Sequence, residues 1–203
     1  FDHGNFAGRD EKLNPWPRKQ SDIRRDLATY YRVISDMDAQ IGRIVAALTD
    51  HGKLDNTVII FTSDHGYHLG EHDFWAKVSL HEESVRVPLI ISVPGKKPAI
   101  CDSFTELLDL YPTLSSLCGL EVPSRLQGKD ISGMLSDPTL QVRKTAFTVN
   151  GRGFLLRDQD WAYIQYAEDA SKGIELFDMH QEPLQYTNLA GDPKYFKIVT
   201  GFK

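Results

Sequence analysis

Residues 57–62, Thr-Val-Ile-Ile-Phe-Thr, make an unbroken β-branched and aromatic run without polar alternation. A strand with one wet face alternates; an unbroken run reads as a strand covered on both faces, inside a parallel sheet. Val87-Pro-Leu-Ile-Ile-Ser-Val93 has the same character, with Pro88 near its start and Pro94-Gly95 at its end. Upstream, Leu27, Tyr30, Tyr31, Ile34, Met37, Ile41, Ile44, Val45 and Leu48 recur every three or four residues, which predicts an amphipathic helix with one apolar face. Ser21 or Asp22 is placed to cap its start and Gly52 to close its end. A second helical period runs from Phe104 to Leu120, where Pro112 implies a kink or a late start. From Thr145 the pattern changes to short strands at Thr145–Val149, Phe154–Arg157, Trp161–Tyr166 and Ile174–Phe177, an antiparallel meander. The expected class is α/β, a mostly parallel sheet with flanking helices followed by a small antiparallel α+β subdomain. The expected division is an irregular lead-in over 1–20, an α/β part over 21–142 and a β-rich part over 143–203.

Composition narrows the function. The 203 residues are 41% hydrophobic and 25% charged, enough to bury a core. A net charge of −5 argues against a nucleic-acid partner, because phosphate neutralisation needs an excess of Lys and Arg. No apolar run approaches the 18 residues of a membrane-spanning helix. The opening FDHGNFAGRD has neither the basic stretch nor the apolar core of a secretion signal and reads like the inside of a loop. Cys101 and Cys118 make no disulfide framework or zinc knuckle and are expected as buried small hydrophobes.

The chemistry concentrates in one interval. Four of the seven histidines, His65, His68, His72 and His81, fall within 65–81, with Asp64, Glu71, Asp73 and Lys77 among them. The interval follows the apolar strand directly, and ligands bind at the carboxyl ends of strands in open α/β sheets. Asp64-His65-Gly66 sets a carboxylate beside an imidazole, with a glycine where the backbone turns away. Alone, an Asp-His-Gly also suits a turn in which the Asp caps and the His meets solvent. As metal ligands the two are half a site, since roughly three to six donors are needed.

These residues carry a family likeness. Thr62-Ser-Asp-His-Gly-Tyr-His-Leu-Gly-Glu-His72, Trp75-Ala-Lys77 and Glu82-Glu-Ser-Val-Arg-Val-Pro-Leu-Ile90 resemble the second half of a type I sulfatase of the alkaline phosphatase superfamily. The likeness is greatest to the iduronate-2-sulfatase-like and choline-sulfatase-like groups. It continues through Asp109-Leu-Tyr-Pro-Thr-Leu114, Leu126-Gln-Gly128 and the closing Glu175-Leu-Phe-Asp178 and Asn188-Leu-Ala-Gly-Asp-Pro193. The resemblance implies an alkaline-phosphatase-like sheet and hydrolysis of a sulfated sugar or small organic sulfate. It implies Asp64 and His65 as ligands of a divalent cation, usually Ca2+. His65 stands where an Asn is commoner, and imidazole suits Zn2+ or Mn2+ better. Lys77 matches the catalytic lysine that touches sulfate, while Trp75 and His68 are candidates either to contact the substrate or to scaffold the loop. Glu82, Glu83 and Arg86 read as a structural network ahead of the second strand. By resemblance the protein is periplasmic, secreted or lysosomal.

Three parts of the family pattern are missing: the nucleophile motif, the paired aspartates that complete the metal site, and a second sulfate-contacting lysine. The nucleophile of such enzymes is a formylglycine made from Cys or Ser in C-x-P-S-R or S-x-P-S-R. Here Pro123-Ser-Arg125 is preceded at the nucleophile position by Glu121. The expectation is therefore a C-terminal part, inactive alone, whose partner is the N-terminal part of the same sulfatase with the formylglycine. The rival readings are a phosphodiesterase or phosphonate monoester hydrolase of the same superfamily, and a non-catalytic fragment.

Overall fold

The structure, a computed structural model, describes residues 10–202. In chain order it contains α1 (Gln20–Asp50), β1 (Ile59–Thr62), β2 (His68–Leu69), β3 (Trp75–Ala76), α2 (Glu82–Val85), β4 (Leu89–Ser92), α3 (Leu110–Leu117), β5 (Ala146–Val149), β6 (Gly153–Arg157), β7 (Trp161–Tyr166), β8 (Ile174–Asp178) and α4 (Phe196–Phe202). These form two compact units, 10–77 with 87–96 and 78–86 with 97–202.

In the first unit α1 ends as its sequence foretells. Gly52 takes φ +61, its N–H reaches the Thr49 carbonyl at 2.9 Å, and the Lys53 N–H reaches the Leu48 carbonyl at 2.8 Å. That is a Schellman closure, which needs a left-handed residue and so favours glycine. The start differs from expectation. The N-cap is Lys19, without a side-chain cap, and Asp22 lies inside the first turn, where its negative charge is favoured by the positive end of the helix dipole. No residue of α1 is buried, and Tyr31, Ile34, Met37 and Ile44 stay exposed. Among the described residues the apolar face expected to pack on the sheet is thus only partly covered, with Leu27, Tyr30, Ile41, Val45 and Leu48 half-buried.

The strand expectation needs a correction too. β1 and β4 do share a sheet, but they pair antiparallel, Ile59 opposite Ser92 and Thr62 opposite Leu89, as a two-stranded sheet. All four β1 residues are half-buried, and Ile90 is 60% exposed. An apolar run reports the need for cover, and two strands alone do not supply it.

In the second unit β5-β6-β7-β8 form the expected antiparallel meander, within a residue or two of the expected limits. Asp158 accepts the Asp160 and Trp161 N–H groups and Asn150 those of Arg152 and Gly153, so Asx turns set both tight connections. One face buries Leu155, Ala162, Ile164, Tyr166 and Phe177 with Leu80 and Met179. The other buries Tyr163 and Leu176 against Ala190, Val199 and Phe202 of the terminal segment and α4. Removing about 25 cal/mol of free energy per Å² of apolar surface makes these two layers the main stabilising contribution of the unit.

Pro112 marks a late start rather than a kink: α3 begins at Leu110, so the proline occupies the first turn, where its missing N–H costs nothing. Ahead of it, Asp109 is fully buried, accepts the Glu106 and Lys129 N–H groups at 2.8 Å each and is ion-paired with Arg143, which also pairs with Glu106. Glu82 pairs with Arg157 at 3.2 Å and with Arg86 at 3.8 Å, the structural network expected there. Both cysteines are exposed, against the expectation of burial.

Candidate active site at the end of β1

β1 delivers Ser63, Asp64 and His65 into a turn, and the β2–β3 pair returns the chain so that Lys77 emerges one residue after β3. Three of the residues expected at the site meet there. Lys77 Nζ lies 2.7 Å from His65 Nε2, and Asp64 Oδ1 lies 3.5 Å from the same nitrogen. His65 Nδ1 lies 2.8 Å from the Gly66 carbonyl oxygen. These contacts define the imidazole's tautomer. A carbonyl only accepts, so Nδ1 carries the proton; an ammonium only donates, so Nε2 is bare. A bare Nε2 beside a carboxylate is a two-donor arrangement suited to a cation. The Asp64 side chain is 83% exposed and its carboxylate opens outward. Among the described residues no three His, Cys, Asp or Glu side chains converge on one point that could hold a metal. Asp64 and His65 therefore fit part of such a site and leave its other donors to be supplied.

His68 and Trp75 both lie inside the loop. His68 is fully buried, its ring 5.3 Å from Phe74 and 6.0 Å from His72, edge-on to both. Trp75 is 4% exposed. Both build the interior of the loop instead of lining its mouth. His81, also buried, belongs to the second unit and lies 3.4 Å from Glu175 there.

The loop between Gly70 and Val78 is conformationally costly. His72, Asp73, Ala76 and Val78 all adopt left-handed backbone, at φ of 54°, 60°, 68° and 79°. Such residues cost on the order of 1–3 kcal/mol each, most for a β-branched one, and persist only where their surroundings enforce them. The enforcing groups went unread in the sequence. Arg18 Nη1 and Trp16 Nε1 both donate to the Asp73 carbonyl, at 2.6 and 3.3 Å, and Glu11 Oε1 accepts the Trp75 N–H at 2.8 Å. Arg18 and Glu11 form a part-buried ion pair. No periodicity or motif announces a contact across 55 or more residues.

A sulfatase family model matches residues 3–120, more than half of the chain and including all of this site. The chain belongs to the sulfatase family. A second model, N-sulphoglucosamine sulphohydrolase, C-terminal, matches residues 70–203. Arylsulfatase K of Xenopus laevis is 32% identical over 86% of this chain and 35% of its own length. Choline-sulfatase of Rhizobium meliloti (strain 1021) is 34% identical, again over 86% and 35%. This sulfatase chain thus spans about a third of the length of the curated relatives it matches. Among solved structures, one in complex with its substrate D-glucosamine-2-N,6-O-disulfate is 30% identical, with a TM-score of 0.69 over 83% of this chain and 38% of that one. A phosphonate monoester hydrolase from Silicibacter pomeroyi superposes with a TM-score of 0.86 at 25% identity, over 98% and 44%. The sulfatase resemblance and the alkaline-phosphatase-like fold class both stand on these likenesses.

Proposed function

We propose that this chain is the C-terminal part of a sulfuric ester hydrolase acting on a sulfated sugar or small organic sulfate, in which Lys77 contacts the sulfate and Asp64 and His65 hold a divalent cation. The observation that carries the reading is the meeting of Asp64, His65 Nε2 and Lys77 within 3.5 Å at the end of β1. A sulfate ester in cleavage gathers negative charge on its bridging oxygen. An ammonium on a flexible stem can follow that charge and stabilise it. A cation held by Asp64 and His65 would supply Lewis-acid chemistry to a sulfate oxygen. Asp64 is a hard oxygen donor that favours Ca2+, whereas His65 also admits Zn2+ or Mn2+. The lone pair that His65 offers to Lys77 is the one a cation would take, so Nε2 serves one of them at a time.

The chain has no C-x-P-S-R or S-x-P-S-R, and Pro123-Ser-Arg125 follows Glu121. By this reading the formylglycine nucleophile and the remaining donors come from the N-terminal part of the same sulfatase, and 1–203 alone turns over no sulfate ester. The partly exposed apolar face of α1 and the half-exposed β1–β4 sheet support that reading as surfaces for such a part. The iduronate-2-sulfatase-like kinship suggested by Asp64-His65 belongs to the same proposal. The likeness to a phosphonate monoester hydrolase favours a second reading, a phosphonate or phosphodiester hydrolase. The test is kcat/KM of the full-length protein on an aryl sulfate and on the matching aryl phosphonate ester. A sulfatase prefers the sulfate; preference for the phosphonate would establish the second reading.

A further inference from the structure

We propose that Arg18, together with Glu11, is the positioning device of Lys77, pinning the backbone just ahead of the lysine so that its ammonium arrives at the end of β1. This rests on the reading of Lys77 above and extends it to side chains of the lead-in segment.

Lys77 follows a two-residue strand and is itself flanked by left-handed Ala76 and Val78, a shape that local preference disfavours. The fixed points come from elsewhere. The Asp73 carbonyl receives Arg18 Nη1 and Trp16 Nε1, and the Trp75 N–H donates to Glu11. These two groups belong to the two peptide planes on either side of Phe74, so both planes are held. Arg18 spreads its guanidinium over three partners: Nη1 on Asp73, Nη2 on Glu11, and Nε on the Asn14 carbonyl at 2.8 Å. Its centre also lies 5.4 Å from the Trp16 ring and 5.9 Å from the Trp75 ring. With 5% of the Arg18 side chain and 12% of Glu11 exposed, the pair is shielded from water and from salt. A lysine could match the charge but not the three-way planar fork. Two residues beyond Trp75, the Lys77 ammonium sits 2.7 Å from His65 Nε2. The lysine stem has no rigid geometry of its own, so the place of its backbone decides where the charge can go.

The test uses the full-length enzyme with Arg18→Lys, alone and combined with Lys77→Ala. Turnover of an aryl sulfate is measured with hydrogen exchange at the Trp75 amide. The expected result is a fall in kcat of about ten- to a hundredfold, the scale of an ångström-level misplacement, with KM changed less than about threefold. The double variant should be no slower than Lys77→Ala, and Trp75 exchange should quicken at least about tenfold. Should Arg18→Lys fold poorly, Glu11→Ala replaces it with the same expectations. Three outcomes overturn the proposal. Unchanged kcat in Arg18→Lys or Glu11→Ala removes the device. So does a loss that multiplies in full with that of Lys77→Ala, because it would then act elsewhere. Wild-type turnover in Lys77→Ala removes the underlying role of the lysine instead, and it does so whatever the Trp75 amide shows.

Discussion

Gly128→Ala is a small change with a large expected effect. A Cβ at this position would stand 1.9 Å from the Leu108 carbonyl oxygen, 2.5 Å from its carbon and 3.0 Å from the Asp109 nitrogen. Ordinary van der Waals contact begins near 3.4 Å, so the backbone must separate by about 1.5 Å, and backbone has no rotamer with which to give way. The atoms displaced lead straight into Asp109, whose fully buried carboxylate accepts the Glu106 and Lys129 N–H groups and pairs with Arg143. Hydrogen bonds to a charged group contribute about 1.5–3 kcal/mol each. Breaking a buried ion pair costs about 3–5 kcal/mol. These terms overlap, so the expected loss is about 3–5 kcal/mol rather than their sum. For a domain of this size that lowers the melting temperature by about 10 °C. Thermal unfolding, with hydrogen exchange at the Glu106 and Lys129 amides, reads both the global and the local consequence. A midpoint within 1–2 °C of wild type (about 0.5 kcal/mol) with both amides still protected would refute the reasoning.

Three further outcomes follow from the same geometry. Leu176→Ala removes a fully buried side chain from the layer between the meander and α4 and should cost about 2–5 kcal/mol, read as a shift in the urea midpoint. Burial pushes the Tyr163 phenol above its ordinary value. Above about pH 10 the unfolded chain releases that proton while the folded chain keeps it, so stability should fall as pH rises from there, and less steeply in Tyr163→Phe. Asp64→Ala and His65→Ala in the full-length protein should each weaken divalent-cation binding by at least the 10–100-fold that loss of an outer partner costs, measured by calorimetry. For Asp64→Ala, whose side chain is 83% exposed, folding stability should stay within about 0.5 kcal/mol.

What could be read in the sequence was whatever depends on short-range chemistry. Gly52 closes α1 and Pro112 falls in the first turn of α3, because each is settled within four residues. The apolar run 57–62 was correctly a strand, yet its parallel, fully covered setting did not follow. An apolar run shows that cover is needed without showing which segment provides it. The same limit applies to α1, whose stripe is real and in which no residue is buried among the described residues. At the site, Asp64, His65 and Lys77 were legible because the chain returns upon itself within thirteen residues. Trp75 and His68 could be read either as substrate contacts or as loop scaffolding, because residue type says what a ring can contact, whereas its burial here came only with the fold. Arg18 and Glu11 gave no sign at all, being joined to the loop only by tertiary folding.

The central claim is that Lys77 serves sulfate chemistry at the Asp64–His65 end of β1. Its most direct test is the single-turnover rate of the full-length enzyme and its Lys77→Ala variant on an aryl sulfate, with melting temperature and bound metal measured alongside. The account predicts a fall of about two to three powers of ten in the chemical step, the effect of removing one donor to developing charge, with melting temperature and metal content unchanged. Wild-type turnover by Lys77→Ala would contradict it and return Lys77 to the solvated surface.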